Sequence, residues 1–118
     1  MDCIFCKIIE KKIKTNILFE NKMCLVFPPI NPVTKGHVLI IPKKHYKDIF
    51  DIDEKYLVSL IDIAKTIAID FKKDLIITGI NILHASGEDA QQSIPHFHFH
   101  LVPRRHNDGL DLWFKNKL

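Results

Sequence analysis

The sequence lacks the features that define several large protein classes. It holds only 3 cysteines, 4 glycines and 1 tryptophan in 118 residues. Three cysteines cannot all pair within one chain, which excludes the disulfide framework of small secreted domains and makes the thiols better candidates for ligands than for a bridge. No apolar run approaches the roughly 18 to 20 residues of a membrane span, because Asp, Lys or Asn interrupts each one. Met1-Asp2 opens no positively charged secretory leader. The expectation is a cytoplasmic protein with no membrane partner. There is no internal repeat, low-complexity tract or Gly/Ser linker, so residues 1–118 are expected to form a single domain. A block of one charge is missing too: the net charge of +3 comes from cations scattered in pairs such as Lys11-Lys12 and Lys43-Lys44. That pattern is a solvated surface with a mild positive field. It favours phosphorylated ligands and gives no case for nucleic acid binding.

What is present is a chain with 47% apolar and 26% charged side chains, enough for one modest core. "TNILFEN" and "MCLVF" read as two strands joined by a turn at Glu20-Asn21-Lys22. The prolines of "PPINPVTKG" force a loop, after which a third strand runs from about Gly36 to Pro42 with His37, Leu39 and Ile41 on one face. Leu57, Leu60, Ile61, Ala64, Ile67, Ala68 and Phe71 recur at three- and four-residue intervals. They predict an amphipathic helix of about five turns from Asp53, capped by Asp51 or Asp53. "GINILH" and "PHFHFHLVP" supply two further strands, joined by the polar "ASGEDAQQS". The fold class is α+β, an antiparallel sheet of about five strands with one main helix.

The chemistry concentrates in "SIPHFHFHLVPRR". Strand periodicity places His96, His98 and His100 on one face and Phe97, Phe99 and Leu101 on the other. The aromatic face can pack on the helix, leaving the histidine face for water, ligand or metal. Alternate residues lie about 6 to 7 Å apart, so neighbouring imidazoles can share an ion, or one can attack while the next donates a hydrogen bond. A catalytic zinc site lacks an acidic residue between Ile94 and Asn107 to serve as general base. A nucleophile site needs less. One imidazole attacks phosphorus, while a neighbouring imidazole and hydroxyl offset the developing charge, with the upstream "QQS" of Gln91, Gln92 and Ser93 as candidate donors. Cys3 and Cys6, two residues apart, have the spacing of half a zinc site.

These segments, with "CIFCKII", "FEN", "INPVTKGHVLIIPKKH" and "SGEDAQQSIPHFHFHLVPR", resemble the histidine triad (HIT) family of nucleotide hydrolases and transferases over nearly the whole chain. The resemblance implies a HIT-like fold whose dimer joins two sheets. It makes His98 the nucleophile that forms a covalent nucleotidyl intermediate at the α-phosphate of a purine nucleotide. His100 and His37 are then phosphate-oxygen ligands, and Ser93 stands near the leaving group. The implied substrates are nucleoside phosphoramidates or adenylates. Dinucleoside polyphosphates cleaved by the same residues are the alternative, as is a nucleotide-binding regulatory or interaction module. No catalytic metal is implied. His45 and His96 would complete a closed structural zinc site with Cys3 and Cys6, one ion per chain, while Cys24 is a core residue. Phe5, Ile8, Phe27 and Leu39 match positions lining the purine and ribose pocket.

The sequence also departs from the family pattern. Pro29 stands where many relatives carry an Asp that grips the ribose hydroxyls, Ala85 replaces an Asn and Gln91 a Gly. Pro103-Arg104 follows the triad where eukaryotic phosphoramidases have Gly-Gly, leaving Arg104 either as a phosphate ligand or as a surface cation. The C-terminal "GLDLWFKNKL" is expected to set Trp113 near a partner's active site or against its own chain.

Overall fold

The computed structural model describes residues 2–115. The elements in chain order are α1 (Ile4–Ile9), β1 (Phe19–Glu20), β2 (Cys24–Phe27), β3 (Val38–Pro42), α2 (Glu54–Asp74), β4 (Gly79–Leu83), a 3₁₀ turn (Glu88–Ala90) and β5 (Phe99–Arg104). The strands form one sheet in the order β1-β2-β3-β5-β4, with every neighbouring pair antiparallel. No helix among the described residues is long and apolar enough to cross a membrane.

The β1–β2 connection is a turn built on Asn21, whose Oδ1 accepts from the backbone N–H groups of Met23 and Cys24 at 2.9 and 2.7 Å. This Asx geometry is the reason Asn suits the position. The first strand is shorter than "TNILFEN" suggests, because only Phe19 and Glu20 pair with β2. At the next loop Gly36 has φ +93°, and an added Cβ would come within 2.7 Å of Leu75 Cδ1. A side chain there would therefore meet both backbone strain and a clash with the end of α2. The position sets His37 immediately before β3.

Helix α2 starts at Asp53, whose carboxylate accepts from Lys55 N–H at 2.8 Å. Asp51, the other candidate cap, instead ties down Lys47 and Asp48. The helix buries Leu60, Ala64 and Ile67 against Val26, Val38, Ile40, Phe97, Phe99 and Leu101. Ile61, read as part of that stripe, is 46% exposed.

The other sheet face differs from expectation. It is not left open, because the short α1, invisible to helical periodicity, lays Phe5 and Ile8 over Leu25, Phe27, Leu39 and Ile41. His96 and His98, which meet Phe5 edge to face, are consequently 0% and 5% exposed, while His37, held between Val33 and His100, is 6% exposed. The last strand also begins later than Pro95. Proline has no N–H for a ladder, and Phe97 N–H is spent on the Tyr46 carbonyl at 2.7 Å. That bond brings the His45 loop alongside His96.

Candidate functional site

Two clusters share the α1 side of the sheet. In the first, the Nδ1 or Sγ atoms of Cys3, Cys6, His45 and His96 lie within 4.8 Å of one another. Cys3 Sγ is 3.4 Å from His96 Nδ1, Cys6 Sγ is 3.3 Å from His45 Nδ1, and the two Nδ1 atoms are 3.1 Å apart. A tetrahedral zinc with bonds of about 2.0 Å to nitrogen and 2.3 Å to sulfur requires edges of about 3.3 to 3.8 Å; the two Cys–His distances fall within that range and the His–His distance lies just below it, so the four groups are close enough to surround one ion. The tautomer fits too. His96 Nε2–H donates to the Pro42 carbonyl at 3.0 Å, leaving Nδ1 with a free lone pair aimed at the thiols. Burial and the neighbouring Cys3 thiol raise the Cys6 thiol above its ordinary value, so a thiolate here calls for a cation among the four residues.

The second cluster is the triad. His98 Nδ1–H donates to the main-chain carbonyl of His96 at 2.8 Å, which leaves Nε2 unprotonated. Burial lowers the His98 pKa and so favours the neutral ring. Phe5 meets this ring edge to face at a 5.3 Å centroid separation.

A second chain of bonds is equally directional. Val33 N–H donates to His37 Nδ1 at 3.1 Å, and His37 Nε2–H then donates to His100 Nδ1 at 3.1 Å. His100 is thereby left with its proton on Nε2, as a neutral donor. Burial depresses its pKa to about 4, with the surrounding histidines adding to the effect, and burial lowers that of His37 as well.

His98 and His100 open into a cleft of about 390 Å³ that is also lined by Phe5, Ile8, Phe27, Leu39, Pro29 and Ser93. Seven of the residues named from the sequence as catalytic or nucleotide-binding therefore meet there: His98, His100, Ser93, Phe5, Ile8, Phe27 and Leu39. His37 stands behind His100 rather than in the cleft wall. Gln91 occupies a left-handed turn at φ 70° and does not line the cleft. Gln92 spends its amide on the Gly87 N–H and the Lys47 and Ile94 carbonyls, so its side chain is a loop staple. Lys14, Thr15 and Ile13 line the cleft without having been singled out; they lie between α1 and β1, where no local pattern marks a ligand. Arg104 does not line the cleft. Its guanidinium makes a bidentate bridge to Asp108 and further bonds to Asn81 and the Leu110 carbonyl, clamping the C-terminal segment. Trp113 is 60% exposed, with Phe114 of its own chain as its aromatic neighbour.

A histidine-lined cleft on the covered face of a five-stranded antiparallel sheet is the arrangement of a histidine triad protein. The HIT domain family model matches residues 10–107, and the chain belongs to the HIT family. It is 41% identical over 119 residues to an uncharacterized HIT-like protein of Borreliella burgdorferi, covering 99% of this chain and 86% of that one. It is 42% identical over 103 residues to the adenosine 5'-monophosphoramidase HNT1 of Saccharomyces cerevisiae, covering 87% of this chain and 63% of that one. Among solved structures, a Zn-bound histidine triad family protein from Mycobacterium smegmatis superposes with a TM-score of 0.90 at 33% identity, over 95% of this chain and 81% of that one.

Proposed function

We propose that the protein is a nucleotide hydrolase or transferase that attacks the α-phosphate of purine nucleotide conjugates, with nucleoside phosphoramidates or adenylates as the substrate class. The carrying observation is the bond from His98 Nδ1–H to the His96 carbonyl, which presents an unprotonated Nε2 to an apolar cleft. In the first step Nε2 forms a bond to phosphorus, and the bond from phosphorus to the amine or acyl oxygen breaks. An amine leaving group takes a proton from the Ser93 hydroxyl, which regains it from the attacking water of the second step, whereas a carboxylate departs as the anion. Nε2–H of His100, backed by His37 and Val33, offsets the charge on the phosphoryl oxygens. Water then breaks the nitrogen–phosphorus bond, releases the nucleoside monophosphate and restores His98.

In this reading Phe5, Ile8, Phe27 and Leu39 hold the purine and sugar. Cys3, Cys6, His45 and His96 hold one structural zinc with no open position, tying the N-terminus to the sheet rather than taking part in turnover. The likeness to a yeast monophosphoramidase and to a Zn-bound relative supports both parts.

The test is kcat/KM across a panel of adenosine and guanosine phosphoramidates, adenylates and dinucleoside polyphosphates. Preference for the phosphoramidates supports the proposal, whereas preference for the dinucleoside polyphosphates moves it to the alternative reaction. Binding without turnover of any member makes the protein a nucleotide-sensing module instead.

A further inference from the structure

His84, at the end of β4, is used by neither cluster, yet it is bonded on both ring nitrogens. Nδ1–H donates to the main-chain carbonyl of His98 at 2.9 Å. Nε2 meets Ser86 Oγ, which itself accepts from Ile49 N–H at 2.8 Å. In the neutral ring the Ser86 hydroxyl donates to Nε2, so each member of the chain has a definite role: Ile49 N–H to Ser86, Ser86 O–H to His84, His84 N–H to His98. The ring is stacked on Phe97 at a 4.3 Å centroid distance and meets Phe99 edge to face. These contacts leave it little rotational freedom.

The location gives the contact its meaning. The β4–β5 ladder reaches only as far as the pair Leu83 and His100. His98 lies just before β5, where no strand partner fixes its backbone, and the His84 imidazole supplies the bond that the ladder no longer provides. The side chain of His98 is oriented by the His96 carbonyl, and its main chain is held by His84.

We infer that His84 is a positioning residue for the reaction proposed above: it sets the backbone of His98 so that Nε2 sits at attacking distance from phosphorus. The inference rests on that reading. An attacking atom displaced by about 1 Å can lose about 100-fold in rate while the substrate still binds. The signature is therefore a fall in kcat at nearly constant KM.

The amide nitrogen of Asn superposes on His Nδ1, while that of Gln superposes on Nε2. His84→Asn therefore keeps the donor to the His98 carbonyl, and His84→Phe keeps only the aromatic stack. With an adenosine phosphoramidate as substrate, His84→Phe is expected to lower kcat by about 10- to 100-fold with KM within about twofold, and His84→Asn to recover all but about fivefold of it. A His84→Phe kcat within twofold of the parent overturns the inference, and so does a His84→Asn enzyme as slow as His84→Phe.

Nitrogen-15 NMR of the parent protein tests the bond without catalysis or folding of a variant. The inference expects His84 to carry its proton on Nδ1, the less favoured tautomer of free imidazole, and a ring protonated only on Nε2 overturns it. Absence of turnover in the parent protein together with the Nδ1–H tautomer counts against the proposed reaction and leaves the positioning geometry standing.

Discussion

His96 joins the two clusters through different atoms: its carbonyl accepts from His98 Nδ1 at 2.8 Å, while its own Nδ1 lies 3.4 Å from Cys3 Sγ. One residue thus orients the candidate nucleophile with its backbone and offers a metal ligand with its side chain. The division lets His96 offer Nδ1 to a metal while the Nε2 of the middle histidine stays free.

Replacing His98 by Ala is expected to cost about 10⁴-fold or more in kcat/KM, because it removes the covalent route rather than one hydrogen bond. Calorimetry should show nucleotide binding retained, since Phe5, Ile8, Phe27 and Leu39 remain. Intact-mass analysis of quenched parent enzyme should show a nucleotidyl adduct that the variant lacks. A residual rate within tenfold of the parent is incompatible with His98 as nucleophile.

Metal analysis of freshly purified protein is expected to give about one zinc per chain. Chelation should lower Tm more than it lowers kcat, because four protein ligands close the proposed site and its binding energy is folding energy. Cys6→Ser should reduce the zinc content and Tm together. Activity that falls in proportion to zinc removal while the fold persists would assign the ion to catalysis instead.

The depressed pKa of His100 has a definite sign. Its folded value is about 4, below the value of about 6.5 in an unfolded chain. Between these limits the unfolded state binds the additional proton. The contribution of His100 to stability is therefore full above about pH 6.5 and is lost as pH falls toward about 4. The expected loss is about 1 to 3 kcal/mol over that interval, read as a falling Tm that His100→Gln makes shallower. An equally steep fall in the variant would place the titration elsewhere.

Pro28, Pro29 and Ile30 line the cleft, and Pro29 has no side-chain acceptor for a sugar diol. A charged hydrogen bond contributes about 1.5 to 3 kcal/mol. The kcat/KM ratio of ribo- to 2'-deoxyribonucleotide substrates is therefore expected to lie within about threefold of unity, and Pro29→Asp to raise it by about 10-fold or more. A strong ribose preference in the parent would show that other groups grip the hydroxyls.

Much of this site is legible as alternation. The period-two pattern of residues 95–103 separates Phe97, Phe99 and Leu101, which pack under α2, from His96, His98 and His100 on the opposite side. Less legible are the parts that depend on long-range closure. Cys3 meets His96 across 93 positions of sequence, a contact that local spacing cannot reveal. The helix α1 is only 6 residues long and is capped by the Cys3 thiol rather than by a typical capping side chain, so no periodicity marks it. Gln92 looks like a phosphate donor beside Ser93, yet the loop's own unpaired backbone groups claim its amide. His84 carries no signal beyond its place at the end of "GINILH", because its importance depends on where the β4–β5 ladder stops.

The last expectation concerns assembly. Strand β4 is a sheet edge, and an exposed edge with apolar side chains invites pairing with another chain. Ile82 on β4 is 44% exposed, and Val58, Ile61 and Ile69 on α2 are 57%, 46% and 50% exposed, more apolar surface than one sheet face uses. Ile63 of the same helix packs on the core instead. Lys65, Ala68, Ile69 and Lys72 of α2 border the same groove as Gly79 and Ile80 of β4, so a second copy covering the edge would cover the helix as well. A two-fold dimer joining the sheets through β4 accounts for both exposures. Light scattering at micromolar concentration should give about twice the 13.7 kDa chain mass, and Ile69→Asp should shift it to the monomer by placing an unpaired carboxylate in the interface. A parent mass near 13.7 kDa excludes the dimer. Trp113, exposed in the single chain, is expected to reach the partner's cleft, so that Trp113→Ala raises KM in the dimer. An unchanged KM would remove Trp113 from the site while leaving the assembly in place.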